Sequence, residues 1–194
     1  MTDDPAETAV EAKEKDRRVA LIIAVLALLL ALSESGAKRA QHLSMESNIE
    51  SSDLFNFYQA KRVRAAIAET AAGTLEAQKA GVADAAGREA IDRQIETLRA
   101  TVERLQHDPK KPEDSLEAIQ ERAERATEVR ELANHRLERY ELGSGLIQIA
   151  IVLASAAIIT DIGALIGLAV VLGAIGAALT ALGFFAPTAI AMLG

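Results

Sequence analysis

Residues 142–185 read LGSGLIQIAIVLASAAIITDIGALIGLAVVLGAIGAALTALGFF, and this stretch decides the fold class. Asp161 is its one ionisable residue, and no charged residue follows it. Roughly 20 consecutive apolar residues make a helix long enough to cross a bilayer. The stretch therefore predicts a transmembrane hairpin with helices at 142–160 and 163–185, joined at Asp161 and followed by an apolar tail at 186–194.

Another apolar run lies near the N-terminus. Val19 to Leu32 comprises 14 residues, so it can cross a bilayer only when flanking residues at the interface are included. We therefore place transmembrane helix 1 at 19–37, after a charged tail at 1–18. The run also resembles the apolar part of a signal peptide, but the six acidic residues of the tail are atypical of one. The prediction is a retained anchor.

Residues 38–141 form a charged region with helical periodicity. Its apolar residues fall into three seams with spacings of mostly three and four, which is typical of coiled coils. The seams comprise Leu54, Tyr58, Ala65, Ala68, Ala72 and Leu75; Ile91, Ile95, Leu98, Val102 and Leu105; and Leu116, Ile119, Ala123, Ala126, Ala133, Leu137 and Tyr140.

Two breaks separate the three predicted helices of this region. Gly81 and Gly87 bracket the first break, and two prolines at 109–112 mark the second. Asp114 with Glu117 forms a capping box that starts the next helix. Segments of similar length lie on either side of the first break, at about 1.5 Å of rise per residue. The chain is therefore expected to reverse at the first break and to kink at the second.

One face of the last predicted span carries only small residues, recurring every four positions. Such residues let helix backbones approach closely in lipid. Gly163 and Gly167 add a GxxxG pattern, for which the general abundance of glycine in membrane helices is the simpler explanation. The predicted packing residues are Ala169, Gly173, Ala177 and Ala181.

Three polar residues are candidate functional residues. Glu34 and Lys38 lie one helical turn apart at the end of the first span, so an ion pair is expected; a carboxylate that handles protons or ions is the alternative. Gln148 lies within the second span, where its amide is expected to bond a neighbouring helix. A role in permeation is the alternative for Gln148.

No pattern predicts a catalytic, cofactor-binding or metal-binding residue. The chain has no cysteine, and it lacks a phosphate-binding glycine loop, an HExxH and a GxSxG motif. Two Glu and His pairs at metal-binding spacing, Glu103 with His107 and Glu131 with His135, fall outside the seams and are expected on a solvated face. The net charge of -7, with basic and acidic residues interleaved, argues against nucleic acid as a partner. Neither an enzyme nor a small-molecule substrate is predicted.

Several short stretches carry a family resemblance. They are similar to the uncharacterised bacterial membrane family catalogued as domain of unknown function 4337, over about residues 15–187. The chain departs from the family in the variable part at 81–115 and in having phenylalanine at 55 and 57, near where a tryptophan is expected. The resemblance implies a bacterial multi-pass membrane protein and no assigned activity. The stretches are ALSE at 31–34, NIE at 48–50, FYQAK at 57–61, YEL at 140–142, QIAIVLASAAIIT at 148–160 and GFFAP at 183–187.

The sequence as a whole predicts an all-α membrane protein, with three transmembrane helices and a long extramembrane helical coiled-coil region between the first and second. The expected partners are the lipid bilayer and other copies of the chain. The predicted function is a homo-oligomeric structural or scaffolding assembly in the bacterial inner membrane; a subunit of an oligomeric pore or transporter is the alternative. The basic residues before the first span favour a cytoplasmic N-terminus and a periplasmic helical region.

Leu98 lies at the centre of the middle seam, whereas Glu103 of the same predicted helix lies outside it. Leu98→Asp is expected to open the seam, because burying an unpaired carboxylate costs several kcal/mol. Limited proteolysis should therefore cut the Leu98→Asp chain between residues 87 and 141 much faster than a chain carrying Glu103→Ala. Equal cleavage of the two variants would contradict the seam.

Overall fold

The structure, a computed structural model, describes the backbone of residues 5–186 and the side chains of Glu14 and residues 16–186. No strand occurs within that range, so the prediction of an all-helical chain is confirmed. The predicted tail at 186–194 lies outside the described residues except for Ala186. The α-helices are α1 (Pro5–Lys79), α2 (Ala85–Gln106), α3 (Leu116–Thr160) and α4 (Gly163–Phe185), with a 3-10 turn at Pro112–Asp114.

Three of the helices, α1, α3 and α4, are long and apolar enough to cross a membrane. The apolar part of α1 continues without a break into its charged part, and the charged part of α3 continues likewise into its apolar part. The bounds predicted at 37/38 and 141/142 are therefore changes in sequence polarity and not helix ends.

The chain divides into two compact units. We call residues 46–129 the charged unit, and the described residues up to Met45 and from Arg130 onward the apolar unit. Helices α1 and α3 contribute residues to both units, α2 belongs to the charged unit, and α4 belongs to the apolar unit.

In the charged unit, α1 and α2 run antiparallel. Lys79 Nζ lies 2.6 Å from Asp92 Oδ2, and Arg99 pairs with Glu76 three residues earlier on α1. Asp84 caps α2 by accepting a hydrogen bond of 2.9 Å from the backbone N–H of Gly87. The full reversal therefore lies at residues 80–84, at the first of the two predicted breaks.

The second break contains the 3-10 turn, and α3 starts one residue later than the predicted capping box implies. Ser115 is the capping residue, because its Oγ accepts a 3.2 Å hydrogen bond from the N–H of Ala118. Asp114 is the last residue of the 3-10 turn that begins at Pro112. Its carbonyl oxygen accepts a hydrogen bond from Lys61 Nζ. The assignment of Asp114 as the cap was therefore wrong.

The core of the charged unit lies between α1 and α3. Leu54, Ile119 and Ala123 form a buried cluster, with Tyr58 packed against it. The Ser51 hydroxyl crosses the same interface, 2.9 Å from Thr127 Oγ1. On α1, burial recurs every seven residues, which keeps one stripe of the helix against its neighbours. The residues of this seven-residue series in the charged unit are Ser47, Leu54, Lys61 and Ala68, and Ser51, Ala65 and Ala72 are buried beside them.

The core of the apolar unit lies where α1, α3 and α4 meet, and most of its buried residues are small. Seven-residue spacing recurs on α1, on α3 and on α4. The outward residues are also apolar; Leu21, Val152 and Phe185 are each at least 66% exposed. Helices that are apolar on their outer faces as well as their inner ones are typical of membrane spans. The buried residues at this spacing are Val19, Leu26, Ser33 and Ala40; Ala133, Tyr140, Ile147 and Ala154; and Ala169, Gly176 and Gly183.

The connection from α3 to α4 consists of Asp161 and Ile162, where the sequence predicts the hairpin turn. Asp161 has a φ of 55°, in the left-handed region. Aspartate enters this region more readily than most residues with a Cβ, because its short polar side chain can bond nearby backbone groups. The turn residue is thus compatible with an abrupt helix end.

Candidate functional site

A site of close helix contact lies in the apolar unit, where α1, α3 and α4 meet around Tyr140. A Cβ added to Gly36 of α1 would lie 2.8 Å from the Tyr140 ring, and one added to Gly183 of α4 would lie 3.2 Å from it. The ring therefore occupies a slot that only residues without a side chain leave open. We call this site the three-helix node; its members are Ser33, Gly36, Tyr140, Gly143, Gly176, Thr180 and Gly183.

Hydroxyl groups link the three helices within the node. Ser33 is fully buried, and its Oγ donates a 2.9 Å hydrogen bond to the backbone carbonyl of Tyr140. Thr180 Oγ1 lies 3.1 Å from Ser33 Oγ and 2.9 Å from the carbonyl oxygen of Gly176. In an apolar environment such bonds satisfy groups that have no water to bond. The hydroxyls therefore fix the helices in register.

The backbones of α3 and α4 touch at Gly143 and Gly176. A Cβ on Gly176 would lie 2.8 Å from the Gly143 carbonyl oxygen, and one on Gly143 would lie 2.9 Å from the Gly176 carbonyl oxygen. Ile147 closes the contact on the α3 side. Neither glycine can gain a methyl group unless the two helices separate.

The predicted packing stripe is only partly the face that packs. Ala169 is fully buried, and Gly173 lies against Leu26 of α1. Ala177 is half-buried, but Ala181 is exposed, and the buried face continues through Gly176 and Gly183 instead. A step of four residues advances about 40° beyond a full turn, so the predicted stripe drifts off the contact. Gly163 and Gly167 have no atoms of other residues close enough to contact an added Cβ.

Among the polar candidates, Glu34 and Gln148 are brought together and Lys38 is not. Gln148 Nε2 donates to Glu34 Oε1 across α3 and α1 at 3.5 Å, the long end of the hydrogen-bond range. The expected ion pair of Glu34 with Lys38 is absent from the ion pairs of the described side chains. All three residues are exposed. The carboxylate thus bonds a residue of another helix, which spacing along α1 alone cannot reveal.

A groove of about 680 Å³ lies beside the node, within the apolar unit. Leu29 and Leu32 of α1 and Phe184 of α4 give it an apolar wall, while Arg39 of α1 and Arg136 of α3 are the basic residues of its lining. The volume is within the range of about 300–1,000 Å³ that is usual for small-molecule sites. The groove therefore combines space, apolar surface and positive charge.

Side chains that could bind a metal do not gather in the described part of the chain. No group of three or more His, Cys, Asp or Glu there is arranged to hold an ion. Glu103, His107 and Glu131 are exposed, and His135 Nδ1 lies 3.8 Å from Glu138. These residues are thus surface groups of their helices.

In the charged unit, α1 has a second patterned face, about half a turn away from its buried stripe. Ile49, Val63 and Ile67 are 58–64% exposed. Together with small or uncharged polar residues they recur with spacings of three, four and four, an 11-residue period. We call this the outer face of α1; its members are Ile49, Ser52, Asn56, Ala60, Val63, Ile67, Ala71 and Thr74.

Comparison with protein families gives a match over most of the chain. The family model described as Domain of unknown function (DUF4337) matches residues 15–186, which is most of the chain. The chain belongs to the DUF4337 family. No curated protein and no solved structure matches it. Membership in DUF4337 therefore confirms the resemblance read from the sequence and brings no activity with it.

Two features of this DUF4337 chain escaped the sequence reasoning. The outer face of α1 can be read from the sequence, because its 11-residue period is visible there, but the same helix also carries the predicted seam through Leu54 and Ala65. The node was not detectable in the same way. Ser33, Tyr140 and Thr180 are far apart in the sequence, and each is unremarkable on its own helix.

The node yields a test with a matched control. Gly176→Ala is expected to lower the free energy of unfolding by about 1–3 kcal/mol, because the added methyl must push α3 and α4 apart. Gly167→Ala should cost nothing or add slightly to stability, since the site is open and alanine favours helix over glycine by about 1 kcal/mol. Thermal unfolding of the two variants in detergent measures the difference. Equal midpoints would contradict the contact.

Proposed function

We propose that this DUF4337 protein is a multi-pass membrane protein that assembles with copies of itself into a homo-oligomeric scaffold. The observation that carries the proposal is the outer face of α1. Neither catalysis nor a cofactor enters the proposal.

The membrane location rests on the surface of the apolar unit. Its helices expose large side chains such as Leu28, Ile159 and Val171, each at least 55% exposed. Three helices have the length and composition of membrane spans. In water such a surface would drive aggregation, whereas in a bilayer it contacts lipid at no cost. We therefore place α1 from about residue 19 to 37, the C-terminal part of α3, and α4 in the membrane.

Self-assembly rests on what the outer face lacks. Over the 26 residues from Ile49 to Thr74 it carries no charged side chain, although the helix has charged residues on its other sides. A helix face in water is normally rich in charge, and a continuous uncharged, partly apolar stripe marks a contact surface. Among the described residues most of this stripe is left uncovered: Val63 and Ile67 are well exposed, and Ala71 is the one half-buried member.

A second copy of the chain is the partner that this geometry favours. Copies inserted in one bilayer with the same topology hold α1 parallel, so their outer faces meet at the same height. A stripe without charge can pair with itself without repulsion, as a symmetric interface requires. The proposed contact is a coiled coil of α1 helices. Its 11-residue period gives a weak supercoil that is right-handed.

The alternative function, a pore or transporter subunit, is favoured by one observation. Glu34 and Gln148 are exposed although they lie at the end of one predicted span and inside another. Such groups facing lipid are expensive, and they usually face a cavity or another helix. In an assembly of three or more copies these two residues would be candidates for a polar lining.

Replacing Val63 and Ile67 together by Glu tests the outer face. The double variant is expected to dissociate, because two unpaired carboxylates would be buried in each copy's contact. The measurement is the mass of the full chain in detergent by light scattering. Val129→Glu is the control, since Val129 is a 41% exposed apolar residue of the same unit on α3. It should leave the mass unchanged.

The masses also separate the two functions. A monomer for the unaltered chain would contradict both, and an unchanged mass for the Val63 and Ile67 variant would contradict the outer face as the contact. A dimer would exclude a pore built around an axis, whereas three or more copies would keep it open.

The proposed orientation is an N-terminus in the cytoplasm and the charged unit in the periplasm. Four Lys and Arg precede the first span within residues 1–18, against Lys38 and Arg39 directly after it, and cytoplasmic flanks are richer in these residues. Three spans then put Gly194 on the periplasmic side. Alkaline phosphatase fused after Gly194 should be active, and green fluorescent protein at the same place should be dark. The reverse pattern would overturn this orientation.

A further inference from the structure

The groove beside the three-helix node has a chemistry that neither scaffolding nor a pore accounts for. Its apolar wall contains Leu29, Leu32, Ala177 and Phe184, and its positive side is formed by Arg39 and Arg136. Both guanidinium groups lie where the sequence changes from apolar to charged, a few residues beyond the first span and a few residues before the second. For the membrane location proposed above, this is the depth of the lipid phosphates.

Arg136 has an unmet bonding requirement. Its Nε is buried and has no hydrogen-bond partner among the described residues, and the Nε of Arg139, one turn further on, is in the same state. Buried donors without a partner are rare, and here no acceptor in the described part of the chain holds Arg136 at this atom. Because the Nε is enclosed by protein, an anion in the groove would bond the terminal Nη groups of Arg136. No ion pair joins Arg39 or Arg136 to a carboxylate within the described side chains.

Among the described residues, the lining of the groove contains two arginines and no acidic residue. Its positive charge is therefore not matched by a carboxylate within the groove. An anion with two or more oxygens matches it, because guanidinium binds phosphate through paired N–H bonds.

We propose that this groove binds one anionic phospholipid, with the phosphate held by Arg39 and Arg136 and an acyl chain lying against Leu29, Leu32 and Phe184. Basic pockets between membrane helices at the headgroup level bind lipids in this way. A soluble phosphate ester would use the guanidinium groups but would leave the apolar wall exposed. The lipid uses both parts of the groove. This inference needs the membrane location and is independent of self-assembly through the outer face.

The test uses the full chain in a non-ionic detergent. Phosphatidylglycerol and phosphatidylcholine with identical acyl chains are added separately, and bound lipid is counted by native mass spectrometry while the thermal midpoint is measured. Phosphatidylglycerol is expected to bind in preference and to raise the midpoint. The Arg39→Gln and Arg136→Gln double variant should bind it at least about tenfold more weakly, as expected for losing hydrogen bonds to charged groups.

Two further variants distinguish the groove from net charge and from folding defects. Arg64→Gln with Arg122→Gln removes the same charge from exposed sites in the charged unit and should retain binding. Ala181→Phe keeps both arginines but fills the groove that Ala181 lines. This variant should reduce phosphatidylglycerol binding. If the arginine double variant does not fold, Ala181→Phe still tests whether the lipid binds in the groove.

Three outcomes would overturn the inference. One is equal binding of the two lipids, and another is phosphatidylglycerol binding that survives Ala181→Phe. The third is inorganic phosphate raising the midpoint as far as phosphatidylglycerol does, which would make the groove a site for a soluble anion. The Val63→Glu and Ile67→Glu variant should still bind phosphatidylglycerol, so that failure of self-assembly and failure of lipid binding are separate results.

Discussion

The backbone contact between Gly143 and Gly176 is the constraint on which the apolar unit depends. With α3 and α4 touching there, Thr180 comes within hydrogen-bond distance of Ser33, and the Tyr140 ring fits between Gly36 and Gly183. In the proposed membrane location the hydrophobic effect would give the helices little reason to associate, so close packing and interhelical hydrogen bonds would have to hold them. Both are concentrated at this contact. The groove beside it is lined in part by three members of the node, Gly36, Tyr140 and Thr180.

The sequence predicts helix bounds well where a change between apolar and charged residues sets them. The end of α3 at Thr160 and the bounds of α4 follow from an apolar stretch with a single carboxylate, and the reversal at 80–84 follows from matched segment lengths. The sequence was less informative where geometry decides. The cap of α3 moved from Asp114 to Ser115 because a 3-10 turn takes up the preceding residues. Glu34 bonds Gln148 because another helix passes beside it, and no spacing along one helix contains that information.

The two faces of α1 have different periods. Its buried stripe repeats every seven residues, or 3.5 per turn, whereas its outer face in the charged unit repeats every 11, or about 3.67 per turn. A straight α-helix has 3.6 residues per turn, so each stripe drifts slowly and in the opposite sense. Contacts along the inner stripe favour left-handed winding, and contacts along the outer stripe oppose it. A helix α1 that packs along both stripes at once would therefore stay nearly straight, because the two winding preferences oppose each other. Asn56, within the outer face, would add a preference for one register, as a single polar residue does in such seams.

Asp161 bears on how the hairpin enters a bilayer during synthesis. The connection between α3 and α4 is two residues long and contains one ionisable group. In the proposed orientation Asp161 lies on the cytoplasmic side, where the chain is synthesised, so its carboxylate does not have to cross the bilayer. The residues of the hairpin that reach the other side are those at the end of α4, and no charged residue follows Asp161 in the sequence. The left-handed backbone at Asp161 ends α3 abruptly, so α4 can return through the bilayer directly beside α3 without a longer loop between them.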